Sequence, residues 1–246
     1  MGTTINKVIK VIKKMSCNAD FISKHKREAK DFSRHKELSA TDVINFVLGK
    51  TGNRLGFATM TFCGKMKKEI KAPGMCKARE KLKFTAFAEL FRESAKAIPQ
   101  NNLYKGYRLV SFDGMKGELP RTPELTECYQ PSKDSQYPQF HAIAEYDVLN
   151  CIYTNAIFAP SPSEERALAI KMLEEHDYEG KEIFLLDRGF PSVRLIQALE
   201  KSGKNYVIRV SKSFLREVNE FGKIQAKDKV IRVDFDKRRK ATSCVA

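Results

Sequence analysis

Asp187 closes the apolar run Ile183-Phe184-Leu185-Leu186 and is followed at once by Arg188-Gly189-Phe190-Pro191. Glycine and proline interrupt regular structure, so the carboxylate is expected at the tip of a buried strand. A charge in that position is costly to bury unless a cation meets it. A similar arrangement occurs upstream at Tyr107-Arg108-Leu109-Val110-Ser111-Phe112-Asp113-Gly114. Two strand-borne aspartates, 74 residues apart in a strongly basic chain, suggest a metal site that works on phosphates. Mg²⁺ prefers hard oxygen ligands and keeps several waters. A pair of such ions, about 3.5–4 Å apart, would activate a water or a 3′-hydroxyl and steady the leaving oxygen of an in-line displacement. An aspartate before a glycine is more often only a turn residue. The joint placement of Asp113 and Asp187 is what favours chemistry.

Bringing these residues together requires a particular order of elements. Extended runs with β-branched and aromatic residues cover 107–113, 139–147 and 150–158. A helix over 164–176, a strand over 182–187, a helix over 192–202 and a strand over 206–210 follow. Such a pattern predicts an α/β fold with a mixed sheet. The order resembles a ribonuclease H-like sheet, in which the first and fourth strands are neighbours, so Asp113 and Asp187 would converge. Residues 230–235 read as one more strand and Lys237-Arg238-Arg239-Lys240 as a solvated basic tail. Residues 1–100 read instead as helical. Ile5, Val8, Ile9 and Ile12 recur at helical spacing opposite lysines, more in keeping with packing on the body than with a membrane surface. Ser39 caps a helix over Val43–Leu48, and Cys76 to Ala97 reads as one long amphipathic helix. The expected division is a helical, basic region over 1–100 and a partial ribonuclease H-like domain over 101–246 that enters a β-insertion.

The formal net charge of +15 is unevenly distributed. Residues 1–100 hold 22 Lys and Arg against 9 Asp and Glu, whereas residues 101–246 hold 23 against 21. That bias is the footprint of a polyanion-binding region. Lys65, Lys67, Lys68, Lys71, Lys77, Arg79, Lys81 and Lys83 flank Pro73-Gly74 and could track a phosphate backbone. For any one of them a solvated helix face is an equal alternative. Arg188 could approach a scissile phosphate or pair with Asp187. The six cysteines form no CxxC pair and the histidines complete no zinc spacing, which implies a reduced, cytoplasmic protein. No run of 18 apolar residues could span a membrane.

Asp113-Gly114 followed by Leu119-Pro120, and above all Leu185-Leu186-Asp187-Arg188-Gly189-Phe190-Pro191-Ser192, closely resemble the first two catalytic segments of DDE transposases of the insertion-sequence-four group. Tyr206-Val207-Ile208-Arg209-Val210 continues in the same manner, and Phe32 to Leu38 and Ala78 to Leu82 resemble the family's N-terminal part. The resemblance implies that Asp113 and Asp187 are the first two ligands for Mg²⁺ or Mn²⁺. It also implies binding of double-stranded DNA (terminal inverted repeats and target), a homo-oligomer acting on paired ends, and a prokaryotic, nucleoid-associated location. The family's third carboxylate lies in a Tyr-x2-Arg-x3-Glu-x6-Lys pattern. Here Tyr206-x2-Arg209 is followed by Ser213 and Glu220 in the next two slots and falls on a strand, so it reads as coincidence. Met115 stands where a hydroxyl residue commonly follows Asp-Gly. The chain therefore reads as an incomplete transposase whose missing helix leaves one apolar sheet face uncovered. A catalytically inactive DNA-binding remnant and a junction-resolving nuclease are the competing readings.

Overall fold

The computed structural model describes residues 2–33, 38–50, 52–129, 136–161, 163–178, 180–224 and 227–233. The chain forms two compact units, Met1–Pro99 and Gln100–Ala246.

The first unit is helical: α1 (Gly2–Ser16), α2 (Ala19–His25), α3 (Ala40–Gly49), α4 (Leu55–Lys65), α5 (Ala72–Arg79) and α6 (Thr85–Lys96). Helix α3 starts on a capping box. Ser39 Oγ accepts from the Asp42 amide at 3.1 Å, and Asp42 Oδ2 accepts from the Ser39 amide at 2.9 Å, an arrangement worth about 1 kcal/mol. Burial pushes the Asp42 carboxyl up, but the bonds from Ser39 and Lys68 outweigh it and hold the group below its ordinary value. Helix α1 packs on α2, α3 and α6, half-burying Val8, Val11, Ile12 and Met15 while Ile5 and Ile9 stay exposed.

The expected single helix from Cys76 to Ala97 is two helices. Between them the backbone pairs sideways: the Arg27 amide donates to Lys81 O at 2.9 Å and the Lys83 amide to His25 O at 2.8 Å. These long-range bonds take one acceptor (Lys81 O) and one donor (the Lys83 amide) that a continuous helix would need, and Leu82 becomes core. Pro73 stands in the first turn of α5, where its missing N–H costs nothing.

The second unit carries β1 (Arg108–Glu118), α7 (Pro123–Cys128), β2 (Gln139–Asp147), β3 (Ile152–Pro160), α8 (Glu165–Glu174), β4 (Glu182–Leu186), α9 (Val193–Lys201), β5 (Asn205–Ile208) and α10 (Arg216–Phe221). The five strands form one mixed sheet in the order β3-β2-β1-β4-β5. The first and fourth strands are therefore neighbours, and the sheet is of the ribonuclease H-like type. Val110, Phe112, Ile143, Ile157, Phe184 and Leu186 face one side, where Ala169, Met172 and Leu173 of α8 and Leu195 and Leu199 of α9 close the core. Fully burying side chains of this size contributes about 1.5–3 kcal/mol each. Met115, Tyr153, Phe158 and Val207 remain exposed.

Three boundaries differ from expectation. Strand β1 does not stop at Asp113. Its antiparallel pairing with β2 runs on to Glu118, past Gly114 and Gly117. Residues 230–233 form no strand, and Val230 is fully exposed. The rest of that expected strand, Asp234 and Phe235, and the basic tail Lys237 to Lys240 lie outside the described residues. Helices α7 and α10 were not anticipated, although Thr122-Pro123 is a sound start signal. Thr122 Oγ1 accepts from the Leu125 amide at 3.3 Å, with Pro123 in the first turn.

Candidate functional site

The parallel ladder between β1 and β4 pairs Val110 with Phe184 and Ser111 with Leu185. Two residues further along each strand, the same register sets Asp113 opposite Asp187. The β4–β5 ladder pairs Leu185 with Val207, so the same step sets Arg209 opposite Asp187. Because side chains alternate across a strand, this row lies on the face opposite Phe112 and Leu186, away from α8 and α9. Neighbouring strands are about 4.8 Å apart. Asp113, Asp187 and Arg209 thus stand side by side at the C-terminal edge of the parallel strands.

The carboxylates are not buried, contrary to the expectation for a strand tip. Asp113 is exposed, and the Asp187 side chain is 65% accessible. The strand beneath Asp187 is buried on its core face only, and the alternate face opens to water. Two carboxylates about 5 Å apart in water repel by only about 1 kcal/mol, so folding needs no cation here. Nor is Arg188 the cation that meets Asp187. Arg209 Nη1 lies 3.8 Å from Asp187 Oδ1, while Arg188 is exposed.

Helix α8 braces the same edge from the core side. A Cβ added to Gly114 would lie 1.5 Å from Glu165 Oε1, and one added to Gly189 would lie 3.7 Å from Glu165 Oε2. The Glu165 carboxylate therefore occupies space that only a glycine beside Asp113 leaves free. Arg166 Nε donates to Gly189 O at 3.2 Å, and the Phe190 amide donates to Asp187 O at 3.0 Å. These bonds fix the turn that carries Asp187. Neither Glu165 nor Arg166 was a candidate from sequence, since nothing local marks a helix residue that reaches two distant glycines. Among the described residues no group of three or more His, Cys, Asp or Glu side chains is arranged to hold a metal ion. Glu217, Asp234 and Asp236 are further carboxylates whose spacing in the sequence places none of them at the site; of these only Glu217 lies among the described residues, on α10.

Of the basic candidates in the helical unit, Lys65, Lys67, Lys71, Lys77, Arg79 and Lys83 are exposed, whereas Lys68 and Lys81 are half-buried. Lys68 is engaged with Asp42 at 3.1 Å. The break after α5 separates Lys77 and Arg79, on the helix, from Lys81 and Lys83, on the paired segment. They do not form one helical stripe.

The opposite end of the same strands carries a buried charge network that sequence reasoning also missed. Arg108 Nε donates to Asp147 Oδ2 at 2.7 Å and Nη1 to Glu182 Oε1 at 3.0 Å. His176 Nδ1 meets Glu145 Oε2 and Nε2 meets Glu182 Oε2, each at 2.7 Å, and Lys204 Nζ donates to Glu182 Oε2 at 3.1 Å. A neutral imidazole has one donor, so two carboxylate partners require the doubly protonated ring. Burial pushes the His176 pKa down, but Glu145 and Glu182 outweigh it and raise it to about 9. Burial likewise pushes the Glu145 carboxyl up, yet His176, Thr154 and Arg108 hold it below its ordinary value. Three cations then balance three anions. The charges balance within the network, although Arg108 Nη2, 3.8 Å from Glu145 Oε1, is buried without a hydrogen bond of its own; buried, mutually paired charges of this kind mark it as structural.

Comparison with known proteins agrees with this topology. The transposase DDE domain family matches residues 104–242. Transposase InsG for insertion sequence element IS4, from Escherichia coli (strain K12), is 24% identical over 144 residues, covering 55% of this chain and 32% of that protein. The cryo-EM structure of piggyBac transposase synaptic complex with hairpin DNA superposes with a TM-score of 0.51 at 14% identity, over 92% of this chain and 56% of that one. The chain thus matches about a third of the length of the curated relative. The sheet order, the position of its paired aspartates and the extent of the family match lead to one assignment: this chain belongs to the transposase DDE domain family, in its insertion-sequence-four type.

Proposed function

We propose that the chain acts in DNA transposition, with Asp113 and Asp187 as two carboxylate ligands of a divalent-metal site and the basic helical unit as a grip on double-stranded DNA. The observation that carries the reading is the shared register and face of the two aspartates. Both are exposed, both offer hard oxygens, and water has access to them, which suits Mg²⁺ or Mn²⁺, ions that keep several waters and take one or two protein carboxylates. When bound, such an ion supplies Lewis-acid activation of a water or 3′-hydroxyl and steadies the leaving oxygen. The chain's own part is positional. Strands β1 and β4 set the spacing of the carboxylates, and Arg166 and the Asp187–Phe190 turn limit how far Asp187 can swing.

The relatives support the substrate class. One is a transposase for an insertion sequence element and another is a transposase complex with hairpin DNA. By analogy the DNA here would comprise terminal inverted repeats and a target. The exposed lysines at 65, 67, 71 and 77 and Arg79 could neutralise backbone phosphates without reading bases. Titration calorimetry with Mg²⁺ tests the metal site. The wild-type chain should bind, and Asp187→Asn should lose binding while keeping its circular dichroism spectrum, because the side chain is surface-exposed. Unchanged binding in that variant refutes the site.

A further inference from the structure

One charge in the row at the sheet edge is left unused by the two-carboxylate reading. Arg209 follows β5, and its amide donates to Leu186 O at 2.9 Å, so its backbone is anchored to the strand that carries Asp187. Its side chain is 72% accessible and meets Asp187 at 3.8 Å through a single nitrogen. An exposed pair of that geometry contributes about 0–1 kcal/mol. It is therefore easily exchanged for a stronger partner. Arg166, by contrast, is committed to Gly189 O.

Charge counting gives the direction of exchange. Asp113, Asp187 and Arg209 together carry −1. A divalent cation on the carboxylates makes the row +1, and one phosphodiester then brings it to neutrality. With Asp187 engaged by such a cation, the Arg209 guanidinium would be free to turn towards a nearby anion. Its planar fork matches two phosphate oxygens at once.

We infer that Arg209 is a phosphate-contacting residue of this site, which leaves Asp187 when a divalent cation binds and turns to the DNA backbone; this rests on the carboxylate-pair reading. Metal and DNA would then bind with positive coupling, and coupling is reciprocal.

The test uses the full chain, a short fluorescently labelled duplex and Mg²⁺, with ionic strength matched between conditions. Mg²⁺ should tighten wild-type DNA binding about five- to tenfold, the lower range of typical coupling. Arg209→Ala should keep calorimetric Mg²⁺ binding and lose most of that gain, and Arg209→Lys should recover part of it as a point charge. Intact metal binding in Arg209→Ala with the full gain retained overturns the inference alone. So does a wild-type chain in which Mg²⁺ binds through Asp187 yet leaves DNA affinity unchanged. A wild-type chain without Asp187-dependent Mg²⁺ binding overturns the carboxylate-pair reading and this inference with it.

Discussion

Raising the pH should loosen the sheet unit at the His176 network. Both ring nitrogens face carboxylates, and the side chain is only 3% accessible. Its pKa stands at about 9 against an ordinary 6.5. Because the folded value is the higher one, the stabilisation is fully present below pH 6.5, declines above it, and is gone once the pH has passed about 9. Each tenfold difference in proton affinity is about 1.4 kcal/mol, so the whole effect is about 3 kcal/mol. Loss of the proton would leave Arg108 and Lys204 facing Glu145, Asp147 and Glu182 with one net buried negative charge. For a unit of this size that corresponds to a fall in Tm of about 6–12 °C. All eight tyrosines lie in the second unit and the chain has no tryptophan, so tyrosine fluorescence follows this unit alone during urea unfolding. Midpoints measured between pH 6.5 and 9.5 should fall, and His176→Gln should start lower and stay flat. A wild-type midpoint that does not move, or an equal fall in the variant, refutes the argument.

Two further outcomes follow from the geometry. Gly117→Ala would bring a Cβ to 2.3 Å from the Phe140 ring, an overpacking that should cost about 1–3 kcal/mol in urea unfolding. Gly114→Ala meets only the free end of Glu165, which can swing aside, so its cost should be smaller; the reverse order would contradict the packing. DNA binding by the full chain should weaken steeply as salt rises, because Lys and Arg release counterions from phosphates. A flat salt response would remove the helical unit from the interface.

Much of this architecture is legible in the sequence because its signals are local or strictly periodic. The apolar run ahead of Asp187, the change of period after residue 105 and the strand-helix alternation to Ile208 led to the observed sheet order. The capping box at Ser39 and Asp42 was likewise a local signal. What escaped reading depends on contacts between distant segments. The helix expected across Leu82 is broken by pairing with residues 25–27, a partner no window around Leu82 contains. Strand β1 continues past Gly114 because β2 pairs with it, not because its own residues favour extension. Asp187 is exposed, contrary to what an apolar run implies, because α8 and α9 cover only one face of β4 and the alternate residues Ile183 and Leu185 are only half-buried. His176, Arg108 and Lys204 carry no motif. Their roles come from three carboxylates on two strands, Glu145 and Asp147 on β2 and Glu182 on β4.

Strands β1 and β4 show why charge alone does not mark a functional site. At their N-terminal ends, Arg108 and Glu182 are almost wholly buried, and each has its partners at 3.1 Å or less. Removing one partner from such a set costs about 3–5 kcal/mol, so these groups are held to their task and cannot be lent to a ligand. At the C-terminal ends the same two strands present Asp113 and Asp187 to water, and among the described residues the cation paired with Asp187 is the Arg209 guanidinium at 3.8 Å. Leaving that contact costs about 1 kcal/mol at most. Under the proposed function a divalent ion and a phosphate would displace it, the ion through its double charge and the phosphate through charge-assisted hydrogen bonds, which are about twice as strong as neutral ones. The ordering of these magnitudes, not the number of acidic residues, is what favours Asp113 and Asp187 over Glu145, Asp147 and Glu182 as the groups open to a ligand under the proposed function.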